Sequence, residues 1–275
     1  MTRLRSTLFA LGSLGPIAGL ALLAPWLRVP VLAAIALGFG STVATVLLAS
    51  HAAIRARLGH DVRSTLRVAA LGVLLSALAL ALGRGCVPGS PRDVLTGLLS
   101  NGAILLFANA LGTLVGARVP HGGHLLPVAL VSSAVDLWSV LAPEGPTRAI
   151  TVAPDPAWLR VLAASAPIVP SRAMEPMLGM ADGVFAALYL SAIRRHDLSL
   201  TRATIALAAG LLSAGVAVVL LARPLPALPF LGLFVLLLVP EARRVPAQDR
   251  KAALFSLVML VVALVRLGWV ARGRR

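Results

Sequence analysis

Runs of about 18–20 apolar residues alternate with short charged or Pro/Gly-rich stretches along most of this chain, the spacing expected of helices that cross a bilayer. Backbone inside lipid must pair its polar groups internally, so such runs predict helices. The first run covers 7–27, behind Arg3 and Arg5. No small-x-small cleavage site follows it, and it reads as a retained first span. Residues 30–50, 68–82, 94–119 and 125–141 give spans two to five, and 177–193 and 203–221 give six and seven. A proline-interrupted run ends near Val239, and 252–270 forms the last span. The expected fold is all-α and polytopic, with about nine transmembrane helices.

Composition agrees. The chain has 275 residues, 59% of them hydrophobic and only 13% charged, and its mean hydropathy is +0.93. No soluble domain of this size hides so much apolar surface. Aromatics are only 4%, so helices must pack through Leu, Ala, Val and Gly, and Gly112-x-x-x-Gly116 predicts one close helix contact. Net charge is +15, with Lys251 the single lysine. The arginines are dispersed over loops and helix ends without interleaved stacking aromatics. That pattern sets topology and snorkels; it does not make a nucleic-acid surface. Abundant Ala, Arg and Gly with almost no Lys point to a GC-rich genome and a prokaryotic inner membrane. With nine spans, the N-terminal side holds 14 Lys/Arg and the other side 10, Arg266 counted on neither. This favours a cytoplasmic N terminus.

Cys86 is the only cysteine, which excludes an intrachain disulfide and any cysteine-cluster metal site. No His-Glu-x-x-His pair occurs, so nothing resembles a membrane zinc protease and no cofactor is expected; a metal at His121 and His124, which share a loop with Gly122 and Gly123, is the less favoured reading of that pair. His121 and His124 read as interfacial histidines beside a helix start. Asn101 and Asn109, eight residues apart, share a helix face and read as interhelical packing contacts. The 142–176 interval is proline-rich and hydrophilic, with 158–166 expected as a short interfacial helix.

The ten acidic residues are unevenly placed. Only Asp136 and Asp182 fall within expected spans; the others lie in loops or at helix ends. A charge at bilayer depth costs about 2.5–3.5 kcal/mol on insertion scales, so such residues have partners or uses. Two carboxylates brought close cannot both ionise. The ionised one can take a proton from water while the protonated one polarises a carbonyl, which is sufficient to hydrolyse a peptide. A transporter can use two intramembrane aspartates to carry protons, and proline-broken spans also mark transporter sites. The Arg223-Pro-Leu-Pro-Ala-Leu-Pro-Phe230 stretch precludes a regular helix at the start of its span. Spacing alone leaves protease and transporter both open.

The residues around these positions resemble a known pattern. Asp136-Leu137-x-x-Val140-Leu141-x-Pro143-x-Gly145-Pro146-x-Arg148 is similar to the presenilin segment that carries the first aspartate and its helix exit. Leu178-Gly179-Met180-Ala181-Asp182, with Phe185, resembles the Gly-x-Gly-Asp motif, and Pro226-Ala227-Leu228 matches the Pro-Ala-Leu motif. All three stand in the family's order. The likeness covers roughly 131–238 and favours presenilin over signal peptide peptidase. It implies an intramembrane aspartyl protease with Asp136 and Asp182 catalytic, and with Pro226, Ala227, Leu228 and Gly179 contacting substrate. The implied partners are the bilayer and single-span membrane proteins, with accessory subunits left open and no nucleic acid. The corresponding organisation is an N-terminal bundle over 1–123, a presenilin-like core over 124–240, and a basic linker with a final helix over 241–275. The implied dyad puts the two carboxyls face to face, with Pro226–Leu228 beside them. The chain departs from the pattern at Val135, where the family usually has Tyr, and at Ala181, which adds a methyl in place of Gly.

Overall fold

The computed structural model describes residues 12–151 and 157–272. Arg3, Arg5 and the start of the first apolar run lie outside the described residues. Apart from one two-stranded hairpin, the described chain is helical. It divides into two compact units: the described residues of Met1–Ala117 and Asp155–Ser191, and those of Arg118–Pro154 and Ala192–Arg275.

Unit one begins with α1 (Gly15–Leu23), extended by a 3-10 turn at Ala24–Trp26, and continues with α2 (Val31–Arg55), α3 (Val62–Gly83) and α4 (Pro91–Gly116). The sequence sets the boundaries. Asp61 caps α3 by accepting the Arg63 amide at 3.1 Å. Ser90 caps α4 by accepting the Asp93 amide at 3.2 Å, with Pro91 at the first helical position, where a missing N–H costs nothing. The α3–α4 pair is close because Gly72 faces α4: a Cβ there would lie 2.8 Å from the Ala103 carbonyl oxygen.

After α4 the chain passes through unit two and returns as the short α7 (Ala157–Leu162) and a hairpin. Strand β1 (Ala163–Ile168) pairs antiparallel with β2 (Ala173–Gly179), from Ala163↔Gly179 to Ile168↔Ala173, with a bulge between Ala164 and Ser165. This corrects the interfacial helix expected over 158–166. The helix stops at Leu162, and Pro167, Pro170 and Pro176 deny the following backbone the amides a helix needs. Helix α8 (Met180–Arg195) then starts directly from the end of β2. The expected packing at Gly112-x-x-x-Gly116 is present. Gly112 lies against Val184 and Ala187 of α8, and Gly116 against Leu188 and Ser191. The missing side chains let the α4 and α8 backbones touch.

Unit two contains α5 (Leu125–Leu141), α6 (Pro146–Thr151), the last turn of α8, α9 (Leu200–Leu221), α10 (Leu228–Leu238) and α11 (Arg250–Arg272). Helix α5 has α10 on one flank, where a Cβ on Gly232 would lie 3.0 Å from the Ala129 Cβ. Helix α11 packs on α5 as well. Two side-chain contacts tie the margins of α5 to α11 and the turn before it: His124 Nε2 hydrogen-bonds Asp249 at 2.9 Å, and Glu144 pairs with Arg266 at 3.2 Å.

Five helical stretches among the described residues are long and apolar enough to cross a membrane: Val31–Arg55, Val62–Gly83, Pro91–Gly116, Gly122–Thr151 and Leu200–Leu221. The expected nine is therefore corrected to five. The sixth expected run loses its beginning to β2, which leaves α8 with 16 residues. The eighth has 11 residues, because prolines delay its start and Pro240 follows its end. At 1.5 Å per residue it spans about 16 Å, roughly half the hydrocarbon thickness.

Candidate functional site

Asp136 lies in the second half of α5 and is half-buried. Its Oδ2 accepts the Leu228 amide at 2.9 Å, and the Ala227 amide bears on the same carboxyl. Leu228 is the first residue of α10 and Ala227 its N-cap. The opening turn of a helix leaves its first amides without internal partners. Here Pro229 has no amide to place, and Asp136, from another helix, takes the one offered by Leu228. The aspartate thus meets the Pro-Ala-Leu segment backbone to carboxylate, with Pro226 and Leu228 themselves buried.

The exit turn after α5 is built from its own polar residues. Gly145 fits closely under the Trp138 and Ser139 carbonyls, a place with no room for a side chain. The Ser139 and Thr147 hydroxyls are 2.6 Å apart, and Ser139 Oγ also accepts the Thr147 amide at 3.2 Å. Arg148 Nη1 donates to the Leu141 carbonyl at 3.4 Å, satisfying one of the orphan carbonyls at the α5 end. Pro143 to Arg148 therefore ends the Asp136 helix sharply and ties the chain back onto it.

Asp182 occupies the third position of α8 and is 9% exposed. Its Oδ2 accepts the Gly179 amide at 3.0 Å. A carboxylate reaching back three residues to the helix start is one half of a capping box, and its charge suits the positive end of the helix dipole. Gly179 is exposed, and a Cβ there would stand 3.3 Å from Asp182 Oδ2. Val135 and Ala181, the two departures from the family pattern, are both exposed, so the Ala181 methyl is not wedged into helix packing.

The structure thus joins Asp136 to Ala227 and Leu228, and Asp182 to Gly179. It also shows a polar group the sequence reading left at a helix end. Asp93 is 1% exposed, with Oδ1 paired to Arg160 at 2.8 Å and Oδ2 accepting the Gly89 and Met174 amides at 3.0 and 3.2 Å. The Ser100 hydroxyl donates to the Arg160 carbonyl. Eight residues on, Asn101 donates to the Ser165 carbonyl and accepts the Ser165 amide, both at 2.7 Å. The expected interhelical contact is instead a side-chain amide pairing like a third strand along β1. Asn109 bonds back to Leu105 of its own helix at 2.8 Å. Ser90-Pro91-x-Asp93 carried a readable signal, a capping serine three residues before an acid; the reach of Asp93 to β2 had none.

Five spanning helices of this length and hydropathy define a multi-pass integral membrane protein. Beyond that class, comparison with known proteins finds no matching family model, curated protein or solved structure.

Proposed function

We propose that this protein is an intramembrane aspartyl endopeptidase that cuts within the transmembrane helices of single-span membrane proteins, using Asp136 and Asp182. The observation that carries the reading is the 2.9 Å hydrogen bond from Leu228 to Asp136. Two motifs 92 residues apart, an aspartate in a membrane helix and a Pro-Ala-Leu segment, meet at the atoms whose chemistry the resemblance invokes. One carboxylate takes a proton from water as its oxygen adds to the scissile carbonyl, and the other gives its proton to that carbonyl oxygen. Collapse of the resulting diol breaks the carbon–nitrogen bond, with the proton returned to the leaving amine. Pro226, Ala227 and Leu228 hold substrate beside Asp136, and Gly179 leaves open backbone beside Asp182. Arg-rich, Lys-poor composition supports a prokaryotic inner membrane.

A second reading has its own support. Both carboxylates hold amides at helix starts, and capping is reason enough to keep an aspartate. On that reading the protein is a non-proteolytic transporter or binding protein.

Asp136→Asn and Asp182→Asn separate the two readings, because Asn caps about as well as Asp but cannot exchange the proton. The purified wild type is expected to cleave a single-span reporter, and each variant to lose cleavage while remaining folded by thermal melting. Absence of cleavage in the wild type, or its persistence in both variants, would overturn the protease.

A further inference from the structure

Within unit two, three connections meet at one end. His121 lies 6.1 Å from His124 and 6.2 Å from His196, ring centre to ring centre. His196 Nε2 hydrogen-bonds the Val119 carbonyl at 2.9 Å. Gly123 fits against the Arg244 backbone, and His124 reaches Asp249. The segments 118–124, 194–202 and 240–251 are thereby drawn together, although 70 or more residues separate the first from the others.

These segments carry eight Arg or Lys side chains, all exposed, against Asp197, Glu241 and Asp249. Asp249 hydrogen-bonds His124 at 2.9 Å, and even with all three carboxylates counted the cations outnumber them eight to three. Helices α5, α9 and α11 begin at this end and α8 and α10 finish there, so the helix dipoles largely cancel and the positive charge of the surface comes from its side chains. Large apolar side chains, Ile205 on α9 and Leu254 and Phe255 on α11, stand exposed on the helices that lead away from it. A concentrated positive surface at the end of lipid-facing helices fits one partner by charge and by place.

We propose that this end of unit two is a binding surface for the phosphate headgroups of anionic phospholipids in the adjoining leaflet. The cations come from different segments, so the site exists only in the folded unit. The inference requires a membrane protein and does not depend on the proteolytic reading.

The test uses the full chain in phosphatidylcholine nanodiscs doped with spin-labelled phosphatidylglycerol or spin-labelled phosphatidylcholine. The immobilised spectral fraction measures association. Wild type is expected to prefer the glycerol lipid. The Arg195→Gln/Arg244→Gln/Lys251→Gln variant, one cation from each of two segments and one from the start of α11, is expected to lose at least about fivefold of that preference, the worth of one cation at a membrane surface. An independent variant, Arg194→Gln/Arg243→Gln/Arg250→Gln, is expected to behave alike. Arg223→Gln, at the far end of α9, is expected to leave the preference intact. Equal association of the two lipids in wild type, or an equal loss in Arg223→Gln, overturns the proposal. A preference abolished by inorganic phosphate equimolar with the labelled lipid assigns the surface to a soluble anion and overturns it too.

Discussion

The Asp136 carboxylate and the Leu228 amide lie 92 residues apart in sequence and 2.9 Å apart in space. A proline-broken helix needs an acceptor for its first amide, and a half-buried carboxylate needs a donor. Each supplies the other. Leu228→Pro removes the amide while suiting the first helical position. Reporter cleavage is expected to fall by about 10²-fold, the order expected when a reacting group loses its positioning contact. Unchanged cleavage would show that Asp136 is not positioned through this bond.

Asp182 can be tested for its structural role separately from chemistry. Asp182→Ala removes both the acceptor for the Gly179 amide and the charge at the helix start and is expected to cost about 0.5–2 kcal/mol, whereas Asp182→Asn keeps an acceptor and loses only the charge–dipole part, about 0.3–1 kcal/mol. Thermal melting of the purified protein in detergent distinguishes them. Equal melting of all three would mean that the capping bond contributes nothing.

Gly112→Val drives two methyls into the Val184 and Ala187 wall of α8. Overpacking of this kind typically costs about 1–3 kcal/mol, and here backbone would have to move. The expected result is a lowered melting temperature. Gly40→Val, at a position with nothing within 4 Å, serves as the matched control and should change stability only by the helix-propensity difference, which favours Val over Gly by a few tenths of a kcal/mol.

Asn101→Leu keeps the branched side-chain shape, with somewhat larger terminal groups, and removes both bonds to Ser165. Each backbone group left unpaired in the interior costs about 1–3 kcal/mol. Hydrogen exchange at the Ser165 amide should accelerate markedly while exchange within α3 is unchanged. Protection at Ser165 that survived the substitution would show that the hairpin does not rely on Asn101.

Much of the helical layout was legible because hydrophobic run length and capping residues are local signals. Asp61, Ser90 and Pro91 stand where α3 and α4 begin, and Pro224, Pro226 and Pro229 forecast the late start of α10. Lengths were less legible. A run that is apolar throughout, such as 177–193, carries no mark telling where strand ends and helix begins; Gly179 was read as a motif residue and not as a boundary. The hairpin was hidden for a related reason. Ala163 to Ile168 is AASAPI, without the β-branched alternation that announces a strand, and it is held in that conformation by Asn101 from a distant helix. At the candidate site, the meeting of Asp136 with Leu228 followed from motif order. The bond of Asp182 to Gly179 has the three-residue reach of a capping box, whereas that of Asp93 to Arg160 is a geometric fact that no spacing rule contained.

Asp93 and Asn101 sit two helical turns apart on α4, and between them they hold the hairpin from both margins: Met174 of β2 through the carboxylate, Ser165 of β1 through the amide. Further along, Gly112 and Gly116 receive the helix that the hairpin feeds. Helix α4 is therefore a template for everything that delivers Asp182 to its place, and its last residue, Gly116, leaves the ribosome 47 residues before Ala163, the first residue of the strands it shapes. That order implies a sequential assembly in which the hairpin condenses onto a helix already in the bilayer, and in which damage to one face of α4 is felt at Asp182 without touching it.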